Sequence, residues 1–190
     1  MTIKQKIFSY IFYDLLGWKI DGRIPFENKR LVIALLPHTS NWDFVIGLLL
    51  ISAENIKMTI FGKDAFYFFP FKGFYRYLDV VPISRIKSQN FVEQAAKLFD
   101  DNALLWVAMA PEGSRGYREN LRSGYYYLAK TANVDILAVG LDFNNKRVII
   151  LEPRPVLGTF EQDAQELIKL SNRCSAKNPE QTLTKNKTEF

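Results

Sequence analysis

A chain of 190 residues with 48% apolar side chains is long enough to bury one core and too apolar to be disordered. Its formal charge of +5 and its 14% aromatic content favour an anionic partner, whether nucleic acid, a phosphorylated metabolite or a lipid headgroup. One cysteine and one histidine exclude an intramolecular disulfide and a Cys/His cluster for structural zinc.

The first 30 residues read as an amphipathic helical segment. Ile7, Ile11 and Leu15 are spaced on one face, with Phe8, Phe12 and Leu16 beside them, a pattern that suits either a bilayer surface or the side of a domain. Asp14 interrupts the apolar stretch and no small-residue cleavage site follows, so it is not read as a signal peptide. A continuous apolar run, "LVIALL", predicts a buried strand over 31–36. The loop "PHTSN" follows, then a helix over 43–53 whose apolar stretch is about half the roughly 20 residues of a membrane span.

Further strands are predicted over 58–61, 80–83, 104–109 and 136–143, and further helices over 71–77, 90–99, 124–132 and 160–172. Short β-rich runs alternating with longer helical ones indicate one α/β domain, residues 31–175, round a largely parallel central sheet flanked by helices. Asn144 and Asn145 tolerate positive φ, so 136–143 and 147–151 are expected to pair as an antiparallel edge hairpin. Residues 176–190, polar and aperiodic, are expected to be frayed. Between residues 57 and 87 six Lys or Arg stand against two Asp, and nine Phe or Tyr fall from Phe61 to Tyr77. Such a stretch is either an aromatic core segment with snorkelling lysines or a surface that dips into lipid headgroups.

Ligands of α/β domains collect beyond the carboxyl ends of the strands, and His38 lies two residues past the first of these strands. On one continuous helix, His38 and Asp43 would point about 140° apart. They meet only if His38 stays in the loop while Asp43 occupies the first helical turn, a break that Thr39, Ser40 and Asn41 favour as capping residues. A carboxylate so placed accepts the proton of one imidazole nitrogen and leaves the other as a base. A capping or packed histidine without chemistry is the competing reading.

A second polar loop, "APEGSRG" (110–116), follows strand 104–109. Glycine permits close backbone approach, and arginine offers a planar fork of donors that matches phosphate. "EGSRG" departs from the serine-hydrolase elbow, since Glu112 replaces the first glycine and His38 precedes the serine. Arg85 ends a third loop, after strand 80–83. Singly, each arginine reads first as a surface charge or a partner for a carboxylate such as Glu112; jointly they look like a phosphate clamp.

"HTSNWD" is similar to the H-x-x-x-x-D block of the glycerolipid acyltransferases of the 1-acylglycerol-3-phosphate or lysophospholipid type. "PEGSRG" resembles their E-G-T-R block with serine for threonine, "VPISR" their acceptor-phosphate block, and "VDILAVG" (134–140) their fourth. Asp79 and Asp135 depart from the glycine and proline usual there, which bears on headgroup identity. The resemblance implies transfer of a fatty acyl group from acyl-CoA or acyl carrier protein to the hydroxyl of a lysophosphatidate-like lipid. His38 would be the base and Asp43 its orienting partner. Arg85 and Arg115 would hold the acceptor phosphate, Gly113 and Ser114 would supply close donors, and Glu112 would order an arginine or a hydroxyl. Neither a metal nor a bound redox cofactor is required. The protein would sit in the cytoplasm, peripherally on the inner face of an anionic membrane. A non-phosphorylated acceptor, such as an aminoacyl lipid or glycolipid, is the nearest alternative. A non-enzymatic binder of anionic membranes or nucleic acid is the more distant one, and it leaves the His-Asp spacing unexplained and lacks an RNA-binding signature, so no nucleic acid is expected.

Overall fold

The computed structural model describes residues 1–60, 91–113 and 119–182. Among these, six strands form one sheet in the order β1-β6-β5-β2-β4-β3. The strands are β1 (Lys19–Gly22), β2 (Arg30–Leu36), β3 (Thr59–Ile60), β4 (Leu105–Met109), β5 (Asp135–Asp142) and β6 (Arg147–Ile150). The helices are α1 (Ile3–Ser9), α2 (Asn41–Ala53), α3 (Phe91–Asp101), α4 (Gly124–Ala132) and α5 (Phe160–Asn172). β2 is central, paired in parallel with β4 on one side and β5 on the other. Burial on both faces is what turned it into an uninterrupted apolar run.

Alternation along β2 divides the core. Val32, Ala34 and Leu36 face Phe99 of α3, Tyr125 and Leu128 of α4 and Leu167 and Leu170 of α5. Leu31 and Ile33 face the opposite way, toward Phe12, Trp18 and Ile46 and Leu50 of α2. The result is a three-layer α/β/α domain, the expected fold class. The predicted helices over 124–132 and 160–172 coincide with α4 and α5. The predicted strand 80–83 and helix 71–77, and the aromatic stretch from Phe61 to Tyr77, lie outside the described residues.

The hairpin between β5 and β6 is antiparallel as expected, but its turn works differently. Positive φ falls on Lys146 (φ 50), not on Asn144 or Asn145. Asn145 is held instead by its side chain, which donates to Asp142 Oδ2 at 2.7 Å. One further strand, β1, pairs in parallel beyond β6, so the helical character of the first 30 residues ends at Leu15. Four residues of mixed polarity carry no strand pattern. Gly22 permits this strand to close, since a Cβ there, at φ +112, would lie 2.0 Å from Ile150 O.

Residues 3–15 form α1 and a following π-helical stretch, Tyr10–Leu15. Of the two environments foreseen for this segment, the side of the domain is realised on one face. Phe12 is fully buried and Phe8 and Leu16 pack beside it, whereas Ile3, Ile7, Tyr10 and Leu15 remain exposed. The expectation of a frayed tail is corrected for residues 176–182. Ala176 and Thr182 are buried, and Pro179–Gln181 forms a 3-10 turn. Residues 183–190 lie outside the described part.

Candidate active site

The chain leaves β2 through a cis Leu36–Pro37 peptide, reaches His38, and enters α2 at Ser40. Ser40 is the helix cap, with extended backbone, and Asp43 is the third residue of the first turn; together they form a capping box. That local grammar breaks the helix between His38 and Asp43, as the spacing predicts. Asp43 is wholly buried. Its Oδ2 accepts the backbone N–H groups of Thr39 and Ser40, both at 2.7 Å. A carboxylate so held, at the positive end of a helix, is fixed in one orientation.

His38 Nδ1 lies 3.2 Å from the same Oδ2. This is ion-pair distance, but the contact is not an aligned N–H···O bond, because Nδ1 finds no hydrogen bond of good geometry. Such a slack contact is common before a substrate is bound and tightens in the reacting complex. The ring is 18% exposed and the carboxylate 1%, so the acid is sealed below an imidazole that solvent still reaches.

Glu112 enters from the neighbouring strand. β2 and β4 run parallel with Ala34 opposite Met109, so the loops beyond their ends lie side by side. Glu112 is 3% exposed, and its Oε2 accepts the backbone N–H of His38 at 2.6 Å. The expectation that Glu112 orders an arginine or a hydroxyl is therefore corrected for this oxygen. It anchors the main chain of His38. Burial pushes the Glu112 carboxyl up to about 7, against the pull of the His38 N–H and the His38 charge, with Asp43 pushing the same way as burial.

That shift has a testable sign. The folded chain keeps a proton on Glu112 that the unfolded chain has already released above 4.5. Stability from the neutral acid is thus full below 4.5 and is lost as pH rises through about 7. Glu112→Gln retains an oxygen acceptor for the His38 N–H and removes the titration. Urea unfolding of the two proteins is expected to diverge in the variant's favour by about 3 kcal/mol across that window. A constant difference would show that Glu112 is not held in an unusual state.

Gly113 has φ +70, and its N–H donates to Ala110 O at 2.9 Å. The expected role of this N–H as a ligand donor is corrected, because the turn already uses it. The glycine serves close packing instead, since a Cβ would lie 2.5 Å from Arg122 Cδ and 2.6 Å from Nε. Arg122, exposed and lying over this turn, is a cation that the sequence reading missed. Nothing in "NLRSG" marks it, and only the turn brings it to Pro111, whose carbonyl accepts its N–H, and to Gly113. Ser114, Arg115 and Arg85 lie outside the described residues.

Of the predicted site residues, the fold brings His38, Asp43 and Glu112 into direct contact and puts Gly113 beside them. A comparison with curated proteins gave no significant match. A family model described as acyltransferase matches residues 18–142, a span that takes in β1 to β5 and both loops of the site. The chain therefore belongs to the acyltransferase family, as its "HTSNWD" and "PEGSRG" blocks led us to expect, and acyl transfer is its class of reaction.

Proposed function

We propose that the protein moves a fatty acyl group from acyl-CoA or acyl carrier protein to the hydroxyl of a lysophosphatidate-like lipid. The observation that carries this reading is the pairing of His38 Nδ1 with a buried Asp43 whose Oδ2 is fixed by two amides. With Nδ1 turned to the carboxylate, Nε2 is the free base. It takes the acceptor's hydroxyl proton as that oxygen bonds to the thioester carbonyl carbon. The tetrahedral intermediate then collapses, the C–S bond breaks, and the departing thiolate receives the proton from His38. Asp43 stabilises the imidazolium throughout. This route involves neither a metal nor a redox cofactor. Arg85, Arg115 and Ser114 are assigned to binding the acceptor phosphate, and Arg122 is assigned the same role as a third cation.

Peripheral attachment to an anionic bilayer is part of the same reading. No helix among the described residues is long and apolar enough to cross a membrane. Yet Ile3, Ile7, Tyr10 and Leu15 stand exposed on the N-terminal helical segment, and Trp42 and Val45 are exposed on α2, on either side of Asp43 in sequence. Rings and aliphatic side chains of this kind enter the headgroup layer. Ile7→Glu is expected to weaken co-sedimentation with phosphatidylglycerol vesicles at least severalfold without changing the thermal midpoint, since Ile7 is 53% exposed. Equal sedimentation would remove that helix from the contact.

The decisive experiment is mass spectrometry of lipid products after incubation with acyl-CoA or acyl carrier protein and a panel of lysolipids. Phosphatidate from lysophosphatidate is the expected product. Acylation confined to acceptors without phosphate would move the reading to an aminoacyl lipid or glycolipid, and a blank panel would overturn it.

A further inference from the structure

We propose that Asn178, in the C-terminal segment beyond the span matched by the family, is a positioning residue for the His38–Asp43 pair. The inference rests on the reading of those two residues as base and orienter. It comes from one peptide group. The amide joining Thr39 to Ser40 donates its N–H to Asp43 Oδ2 at 2.7 Å, and its carbonyl oxygen accepts from Asn178 Nδ2 at 2.9 Å. Because a peptide is planar, holding the oxygen sets the direction of the N–H. Donation to the carbonyl also polarises the amide and strengthens the bond at its other end. Asn178 and Asp43 thus grip opposite ends of the same unit.

A second bond fixes the side chain of that loop. The Asn178 backbone N–H donates to Thr39 Oγ1 at 3.2 Å, and Thr39 is only 2% exposed. Asn178 is itself anchored from both directions. Upstream, the Phe143 N–H donates to Ser175 O at 2.8 Å, and Ser175 N–H donates to the buried Asp142 Oδ1 at 3.3 Å. Downstream, the turn at Pro179–Gln181 is closed by Thr182 Oγ, which donates to Pro179 O at 2.8 Å. A segment that only covered the surface would need neither the amide fork nor its aim at the one loop between His38 and Asp43. The C-terminal segment is the strap that holds the dyad's loop in register.

The test uses the full-length protein and Asn178→Asp, which keeps the shape and the backbone bond to Thr39 Oγ1 but turns a donor into an acceptor facing a carbonyl. Asn178→Ala serves as the second variant. His38 is the only histidine, so ¹⁵N spectra of histidine-labelled protein report it without assignment. Wild type is expected to hold one neutral tautomer, protonated at Nδ1, and both variants a mixture. For lysophosphatidate acylation, kcat is expected to fall about tenfold to a hundredfold with KM for donor and acceptor unchanged. Spectra identical to wild type in a folded variant would overturn the proposal, as would a lowered unfolding midpoint with wild-type kcat. Altered tautomers in a protein that acylates nothing would support the strap and count against the acyl-transfer reading alone.

Discussion

His38→Ala is expected to lower acyl transfer to a lysolipid by about 10² to 10⁴, the usual worth of a positioned general base, while leaving the fold intact. The second half of that expectation is structural. The ring is partly exposed and its described polar contact is with Asp43 Oδ2. The main-chain N–H that Glu112 Oε2 holds survives in alanine, so the loop keeps its anchor. Product formation per folded molecule, read beside a thermal melt, separates the two effects. Wild-type turnover in a folded variant would show that the imidazole has a packing role only. A collapse of the melt would show that the imidazole itself is needed to hold the loop, beyond the bonds from Glu112, Asp43 and Asn178.

Asp43→Asn is expected to cost a comparable factor for a different reason. The amide oxygen of asparagine can still accept from the N–H groups of Thr39 and Ser40, so the cap of α2 persists. What disappears is the negative charge 3.2 Å from His38 Nδ1, and with it the preference for the tautomer that frees Nε2 and the stabilisation of the imidazolium. Stability should fall by only about 0.3–1 kcal/mol, the worth of a charge at a helix N-terminus. Asp43→Ala should lose the same activity and considerably more stability, because the buried Thr39 N–H then lacks an acceptor, at about 1–3 kcal/mol, and the half-buried Ser40 N–H loses its acceptor as well. Urea unfolding of both variants, together with single-turnover acylation, distinguishes the roles. An asparagine variant with undiminished turnover would reduce Asp43 to a cap.

Much of the site was legible because its grammar is local. The run "LVIALL" predicts β2 almost to the residue, since a central parallel strand is apolar on both faces. The pattern S-x-x-D at Ser40 and Asp43 is a capping box, and it puts the carboxylate under the loop that carries His38. Glu112 was singled out, but the bond it makes to the His38 main chain was not foreseen. A bond between residues 74 apart in the chain leaves no trace in either local sequence, and E-G next to arginine pointed to a ligand instead of a backbone anchor. β1 was illegible because its four residues join the sheet through Gly22, whose fit depends on Ile150 O.

The sequence by itself determined the α/β class, the apolar run that becomes β2, and the capping residues whose break lets His38 meet Asp43. All of these rest on residues within a few positions of one another, where periodicity and capping chemistry act. The tertiary structure alone decided which face of the N-terminal helix is buried, that Glu112 holds the His38 main chain, that Arg122 lies over Gly113 and that Asn178 reaches Thr39 across 139 residues. Those contacts exist only because the parallel order of β5, β2 and β4 gathers distant loops at one end of the sheet, and sheet order is set by packing that no short stretch of chain encodes.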